Sequence, residues 1–396
     1  MKILALAHRL PWPPNRGTTI RSYHILKFLA SQHEVALLSF VESRANFKAY
    51  REQLLIFCKE VKVVPLNYTL AKLRAATALL DGMPLSVKAF QSKMFQAHFD
   101  EMICSFKPDL VFTDGSALAF YPLKEKVPFI ADFMDVDSEK WKQYAEFSKW
   151  PLNRIYAMES NRLSQFEKEV AEEAESILVV SHEEELRLKV FAPQAKVSEI
   201  PNGVDTEYFK PLDRATIPGR IVFTGVMDYF PNIDGVCWFC REIWPKVKKQ
   251  ISHASFYIVG INPSHKIRAL GKLLGVVVTG KVPDVRPYLA EAQVVVAPLR
   301  FSLGLQNKVL EALAMGKAMV ATSGAVQGLG IDKDTVLRTS KDANEFAKNV
   351  IHFLTDQETR KTSEEAGPEF IKKHHDWDQN LKGIEELFVY HQKILK

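Results

Sequence analysis

Cysteine is scarce. The four in 396 residues (Cys58, Cys104, Cys237 and Cys240) are too few and too scattered for a disulfide framework. Cys237-Trp238-Phe239-Cys240 is formally a C-x-x-C, but no second pair of ligands stands at zinc spacing, and cysteine among aromatics at helical spacing reads as core. Long apolar runs are missing too: stretches such as Val294-Val295-Val296-Ala297 are strand-sized, far short of the roughly 20 residues of a membrane span. Met1 to His8 carries one lysine and a short apolar run, then meets Arg9 and Pro11 with no small-residue cleavage pattern. It reads as a first strand and not as a signal peptide, so the chain is expected in the cytoplasm. There is no internal repeat of solenoid period, and the aromatics follow no nucleic-acid-reading module, which leaves nucleic acid last among the partners.

What is present is the composition of a soluble globular protein, with 47% apolar and 25% charged residues, on a chain long enough for two α/β domains. The net charge of +5 is unevenly placed: the first hundred residues hold 14 Lys/Arg against 6 Asp/Glu, a local excess of +8. Such an excess attracts phosphorylated substrates or anionic lipid, particularly along the run Lys59 to Lys93 with Phe57 just before it and Tyr68 and Phe90 within it.

Apolar β-branched runs alternate with helical patterns, which predicts parallel sheets with crossover helices. A first series of strands is expected at 3–7, 35–40, 61–66, 110–113, 129–133 and 177–181, and a second at 221–224, 256–259, 276–279, 294–298 and 319–322. Residues 138–175, rich in Glu, Lys and Arg, read as one or two surface helices. The turn cluster Pro201-Asn202-Gly203 separates the series, so domains are expected at 1–195 and 196–375, with a last helix over 376–396 packing back on the first. Ligands of open α/β sheets bind at the carboxyl ends of the strands.

The strongest chemical signal is Pro298 to Gly316: buried strand, loop containing Gly304, amphipathic helix, stop. A glycine lets backbone approach a ligand, and the free amides and dipole of a helix start favour a phosphate. Arg300 and Lys308 add full positive charges. Glu311, one turn into the helix, is suited to accept hydrogen bonds from ribose hydroxyls. The same segment also reads as an ordinary buried strand and helix with solvent-facing charges.

The segment resembles the donor signature of retaining glycosyltransferases of family 4, a Gly-rich loop before an L-E-A-[LM]-A helix. Further segments are similar to that family in the correct order: Pro11 to Gly17, the hinge Ile200 to Phe209, Phe223-Thr224-Gly225, and Gly280 to Val285. The details Asp135 to Trp141 and Leu305 to Val309 look like the sugar transferases of exosortase and exopolysaccharide systems. The resemblance implies a GT-B fold of two Rossmann-like domains facing across a cleft, closing to exclude water. It implies transfer from a nucleotide-diphosphate sugar, with retention, to a glycan or polyprenyl-linked acceptor, with peripheral contact on the inner face of the membrane. The nucleotide sugar is the co-substrate, and neither metal nor cofactor is implied. Carried over by position, Glu311 matches the ribose-binding glutamate; Gly304, Leu305 and Gln306 offer amides to the donor. Gly17 and Gly225 lie in loops that approach it, and Arg16 and Asp137 fall on the acceptor side.

The sequence departs from the pattern at three points. Leu303 stands where the first glutamate of the pair falls, Val226 to Asn232 replaces the usual Arg and Lys after the glycine turn, and Met134-Asp135 takes the place of a histidine after the fifth strand. Arg300 and Lys308 are the substitutes for the missing charge at the departing diphosphate, with Asp135 as a further catalytic candidate. Asp135-Val136-Asp137 also reads as a D-x-D metal motif, although that belongs to a single-domain architecture; a helix-capping or acceptor-facing role fits better. His8 and His24 near the first loop are general-base candidates, against the commoner packed or solvated histidine. A scaffold subunit that kept the fold without turnover, or a sugar-nucleotide epimerase or hydrolase, are the alternative readings.

Overall fold

Runs of Val, Ile, Leu and Phe at the expected positions pair into two separate parallel sheets. The computed structural model describes residues 1–14, 17–42, 47–301, 306–330 and 333–394, and the chain divides into two units, Met1–Pro201 with Leu381–Lys396, and Asn202–Asn380. In the first, β1 (Lys2–Ala7), β2 (Glu34–Val41), β3 (Glu60–Pro65), β4 (Leu110–Asp114), β5 (Phe129–Met134), β6 (Ser176–Val179) and β7 (Val197–Glu199) form a seven-stranded sheet of order β3-β2-β1-β4-β5-β6-β7. In the second, β8 (Arg220–Thr224), β9 (Ser255–Val259), β10 (Val276–Gly280), β11 (Val294–Ala297), β12 (Met319–Thr322) and β13 (Arg338–Ser340) form a six-stranded sheet of order β10-β9-β8-β11-β12-β13. Central strands are buried on both faces, as Ile3 to Ala7 and Val294 to Ala297 are. That is why they read as continuous apolar runs without alternation.

β7 and β13 were not expected. Each is a three-residue, largely polar edge strand, registered only by its neighbour through Ile177 opposite Val197 and Val320 opposite Arg338. The expected surface segment 138–175 splits into helices Asp137–Phe147 and Leu152–Glu173, and the second is not merely surface: Leu163, Phe166 and Val170 are buried, and so are Glu159 and Glu167. Both glutamates cap other helices. Glu159 accepts from the amides of Leu85 and Ser86 (2.6 and 2.8 Å), and Glu167 from the amide and hydroxyl of Ser138 (3.3 and 2.5 Å). A charged side chain buried this way answers helix-terminal amides that otherwise lack partners.

The division falls inside the turn cluster, after Pro201. Gly203 is required there: a Cβ would stand 2.7 Å from the Trp377 ring. The last helix, Lys382–Ile394, belongs to the first unit, with Ile384 and Phe388 buried and the Phe388 ring 5.5 Å from that of His33. No helix among the described residues is long and apolar enough to cross a membrane.

Candidate functional site

The carboxyl edge of the second sheet is tightly wound around glycine. After β8, Gly225 donates its amide to Val259 (3.1 Å), and a Cβ on Gly260 would stand 1.7 Å from the Gly225 carbonyl oxygen. Only glycine at position 260, with φ +155°, lets the two strand ends come this close. The chain then enters helix Phe230–Trp238, whose Gly235 lies against the Pro298 carbonyl beyond β11 (2.5 Å from a built Cβ). Asn232, buried in the first turn, donates its Nδ2 to the Val226 carbonyl (2.9 Å) and so pins the glycine turn.

Helix Asn307–Ala314 brings two charges to this turn. Its buried face, Val309, Leu310, Ala312 and Leu313, packs into the core and leaves Lys308 and Glu311 half-buried one turn apart. Lys308 Nζ donates to Asn232 Oδ1 (2.6 Å), lies 4.6 Å from the centre of the Phe223 ring, and would meet a Cβ on Gly225 at 3.2 Å. A positive charge thus reaches the turn after Gly225 from another element. The Glu311 carboxylate has no hydrogen-bond or ion-pair partner among the described residues. Burial pushes the Lys308 ammonium down to about 7 and the Glu311 carboxyl up to about 7, their mutual attraction opposing both shifts. Two groups held this close to neutrality are poised to be charged by a ligand that complements them.

The remaining donor-side positions are divided. Gln306 precedes the helix in extended conformation and accepts from the Val309 amide (2.8 Å), while Leu303, Gly304 and Leu305 lie outside the described residues. Arg300 is engaged: its guanidinium grips Asp234 with two hydrogen bonds (2.9 and 2.6 Å) and lies 5.6 Å from the Phe301 ring centre. That pairing answers its charge within the protein, whereas Lys308 hydrogen-bonds a neutral amide, lies over an aromatic face and feels the charge of Glu311 without forming an ion pair among the described residues. Asn232 and Gly260 were not singled out in the sequence. Asn232 sits in the stretch that departs from the family pattern, and Gly260 in none of the compared segments.

In the first unit, Gly17 opens helix Gly17–Gln32, and Arg16 is outside the described residues. From that helix Arg21 reaches into the sheet, making a buried two-point contact with Asp132 (2.7 and 2.9 Å) and donating to the Ile200 carbonyl (2.7 Å). Met134 turns the chain with φ +62°, and Asp135 follows half-buried; burial first, then the charges of Glu184 and Asp137, push its carboxyl up to about 7. Asp137 sits in the first turn of its helix, 3.5 Å from Lys140. No group of three or more His, Cys, Asp or Glu among the described residues is arranged to hold a metal ion. His8, just beyond β1, directs Nδ1 at Asp114, 3.1 Å from its carbonyl oxygen and 3.2 Å from Oδ2.

Residues 218–356 match the family described as glycosyl transferases group 1, a stretch that contains Gly225, Asn232, Lys308 and Glu311. No curated protein matches the chain in sequence. Among solved structures, sucrose-phosphate synthase from Thermosynechococcus elongatus is similar over 100% of both chains, with TM-score 0.73 and 15% identity. Anabaena HepE in complex with UDP and glucose is similar over 98% of this chain and 99% of its own, with TM-score 0.68 and 14% identity. WaaG, a glycosyltransferase involved in lipopolysaccharide biosynthesis, is similar over 97% and 99%, with TM-score 0.68 and 12% identity. The architecture is therefore the GT-B fold, and the stretch of the second unit that matches the group 1 glycosyl transferase family lies within it.

Proposed function

We propose that this chain, whose second unit carries the match to the group 1 glycosyl transferase family, transfers a sugar from a nucleotide-diphosphate donor. The observation that carries the reading is the half-buried pair Lys308 and Glu311 beside Gly225, inside the matched stretch. A diphosphate brings the negative charge that a desolvated ammonium lacks. A ribose brings the hydroxyl donors that a partnerless carboxylate lacks. In the reaction the bond from the anomeric carbon to the diphosphate breaks and its electron pair leaves with the nucleotide. Lys308, already in place, stabilises that developing charge without reorganising, and Glu311 holds the nucleoside so that the anomeric carbon is positioned.

The acceptor reading, a glycan or polyprenyl-linked carrier bound by the first unit in exopolysaccharide assembly, is supported by the resemblance of the Asp135 to Trp141 segment, as is retention at the anomeric carbon. HepE, whose structure contains UDP and glucose, supports a nucleotide sugar as co-substrate. No metal has a role in this reading, the diphosphate charge being met by Lys308 and the first amides of helix Asn307–Ala314.

A thermal-shift screen against nucleotide sugars and nucleoside diphosphates tests the reading. The cognate donor at 100 times its Kd stabilises by about 2.7 kcal/mol, a shift of several degrees. If no nucleotide or nucleotide sugar moved the melting temperature at millimolar concentration, the reading would be wrong.

A further inference from the structure

Beside Lys308 the second unit leaves aromatic surface open. Phe230 begins helix Phe230–Trp238 and is 51% exposed, and Tyr229 before it is exposed as well. Phe301, just beyond β11, is half-buried, and its ring centre lies 5.5 Å from that of Phe230, the planes tilted by 36°. The two rings meet because β8 and β11 are neighbours in the sheet and Gly235 lets the helix close on the Pro298 carbonyl. Arg300 is drawn away from them. Phe230, Asp234 and Trp238 follow one another at four-residue spacing on one helix face, and the Arg300 guanidinium grips Asp234 and lies 5.8 Å from the Trp238 ring centre. The carboxyl edge therefore presents a pair of rings, and Phe230 stands in the stretch where the family pattern carries Arg and Lys.

The polar side chains around the rings are already engaged. Asp234 holds Arg300, the Asn232 amide is divided between the Val226 carbonyl and Lys308, and Asp228 accepts from Asn262 (3.0 Å). Contacts also give the patch its place along a ligand. Asn232, two residues after Phe230 in the same helix turn, joins the rings to Lys308, and Lys308 is joined to Glu311 by their own helix. A nucleotide sugar runs sugar, diphosphate, ribose. With Lys308 at the diphosphate and Glu311 at the ribose, the rings fall to the sugar. We infer that Phe230 and Phe301 select a donor sugar with an apolar face, a 6-deoxyhexose that carries a methyl group where ordinary hexoses carry a hydroxymethyl. This rests on the sugar-transfer reading and names the class of its donor.

The match follows from what each group loses in leaving water. The methyl and ring C–H groups of a deoxysugar gain by covering aromatic surface, and the rings gain cover that the protein does not give them. A hydroxymethyl at the same place sets a hydroxyl against carbon, where it gives up hydrogen bonds to water with no replacement. A nucleobase is the rival occupant of an aromatic pair, but the base joins the ribose on the side away from the diphosphate and so falls beyond Glu311. One added hydroxyl in an apolar site is discriminated by up to about 10²-fold. Half-exposed rings put this site toward the low end, about 10-fold.

The test uses the full chain and matched donors that differ by one oxygen: GDP-mannose and GDP-6-deoxymannose, dTDP-glucose and dTDP-6-deoxyglucose, UDP-N-acetylglucosamine and its 6-deoxy counterpart. In calorimetry the 6-deoxy member of the pair with the cognate base should bind about 10-fold more tightly. Phe230→Ala should bring that ratio toward unity while binding the bare nucleoside diphosphate as the wild type does, which shows the variant is folded. Phe230→Trp, which keeps a ring, should keep the preference. Equal affinity for both members, tighter binding of the hexose, or a ratio unchanged in both Phe230→Ala and Phe301→Ala would overturn the assignment. Weaker binding of the bare nucleoside diphosphate by a folded Phe230→Ala would also overturn it and give the rings to the nucleotide. A wild type that binds neither donors nor nucleoside diphosphates would instead remove the sugar-transfer reading, and this one with it.

Discussion

Truncating Glu311 separates a donor site from an ordinary helix surface. In the unliganded protein its carboxylate has no hydrogen-bond partner among the described residues and is half-buried, so Glu311→Ala breaks no hydrogen bond and removes only its attraction to Lys308. Its pKa is raised from an ordinary 4.5 to about 7, chiefly by burial, Lys308 opposing. A carboxyl raised in the folded state adds stability that is fully present below 4.5 and lost as pH rises through about 7. The variant should therefore match or exceed the wild type in melting temperature above pH 7, and fall behind it only below pH 4.5. Binding should respond in the opposite way. A hydrogen bond from a ribose hydroxyl to a charged acceptor contributes about 1.5–3 kcal/mol, so loss of one weakens nucleotide affinity by roughly 10- to 150-fold. Glu311→Gln should lose less, since a neutral acceptor remains. Calorimetric titration of the cognate nucleoside diphosphate into both variants at pH 7.5 decides the matter. Wild-type affinity in a folded Glu311→Ala protein would refute the assignment and leave this helix a purely structural element.

Other consequences follow from the same geometry. Lys308, depressed to about 7, must be charged to meet a diphosphate, so binding should take up a proton above pH 7 and weaken as pH rises further; calorimetry in buffers of different ionisation enthalpy reads the uptake, which Lys308→Met should abolish. Gly225→Ala places a methyl group 2.8 Å from Asn232 Nδ2 and 3.2 Å from Lys308 Nζ and should impair nucleotide binding in a folded protein, whereas Gly260→Ala, 1.7 Å from a carbonyl oxygen, should prevent the second unit from folding, as circular dichroism would show. Sugar transfer should survive EDTA; loss on chelation with rescue by Mg²⁺ or Mn²⁺ would make Asp135 and Asp137 the leading ligands. On helix Tyr68–Asp81, Leu70, Leu73 and Leu80 are exposed beside Lys72, so cosedimentation with anionic liposomes should be seen at low salt and weaken as salt rises, each basic residue contributing about 1 kcal/mol.

Legibility in the sequence followed burial. Strands buried on both faces, such as Ile3 to Ala7 and Val294 to Ala297, announced themselves as apolar runs, while β7 and β13 carry too few residues and too little apolar character to be seen without their partners. Glu159 and Glu167 looked like a solvated face because local pattern does not show which distant helix ends need capping. Phe90, read with Tyr68 as part of a basic, aromatic surface, packs against the first core, and leucines take the exposed positions. At the candidate site, the helical spacing of Lys308 and Glu311 was readable, since residues three apart are neighbours on one face of a helix. That Lys308 meets Asn232, 76 residues earlier, was not, and neither was the engagement of Arg300 by Asp234. Such contacts depend on which strand ends lie side by side, here β8 and β11, and spacing along the chain carries no record of it.

Release of nucleoside diphosphate from a panel of UDP-, GDP-, dTDP- and ADP-sugars tests the central claim most directly. The wild-type chain should turn over one donor, more rapidly with an acceptor glycan present than with water alone, and Lys308→Met and Glu311→Ala should each reduce turnover in folded protein. Turnover of the donor by both variants at the wild-type rate, or no release from any donor by the wild type, would contradict it.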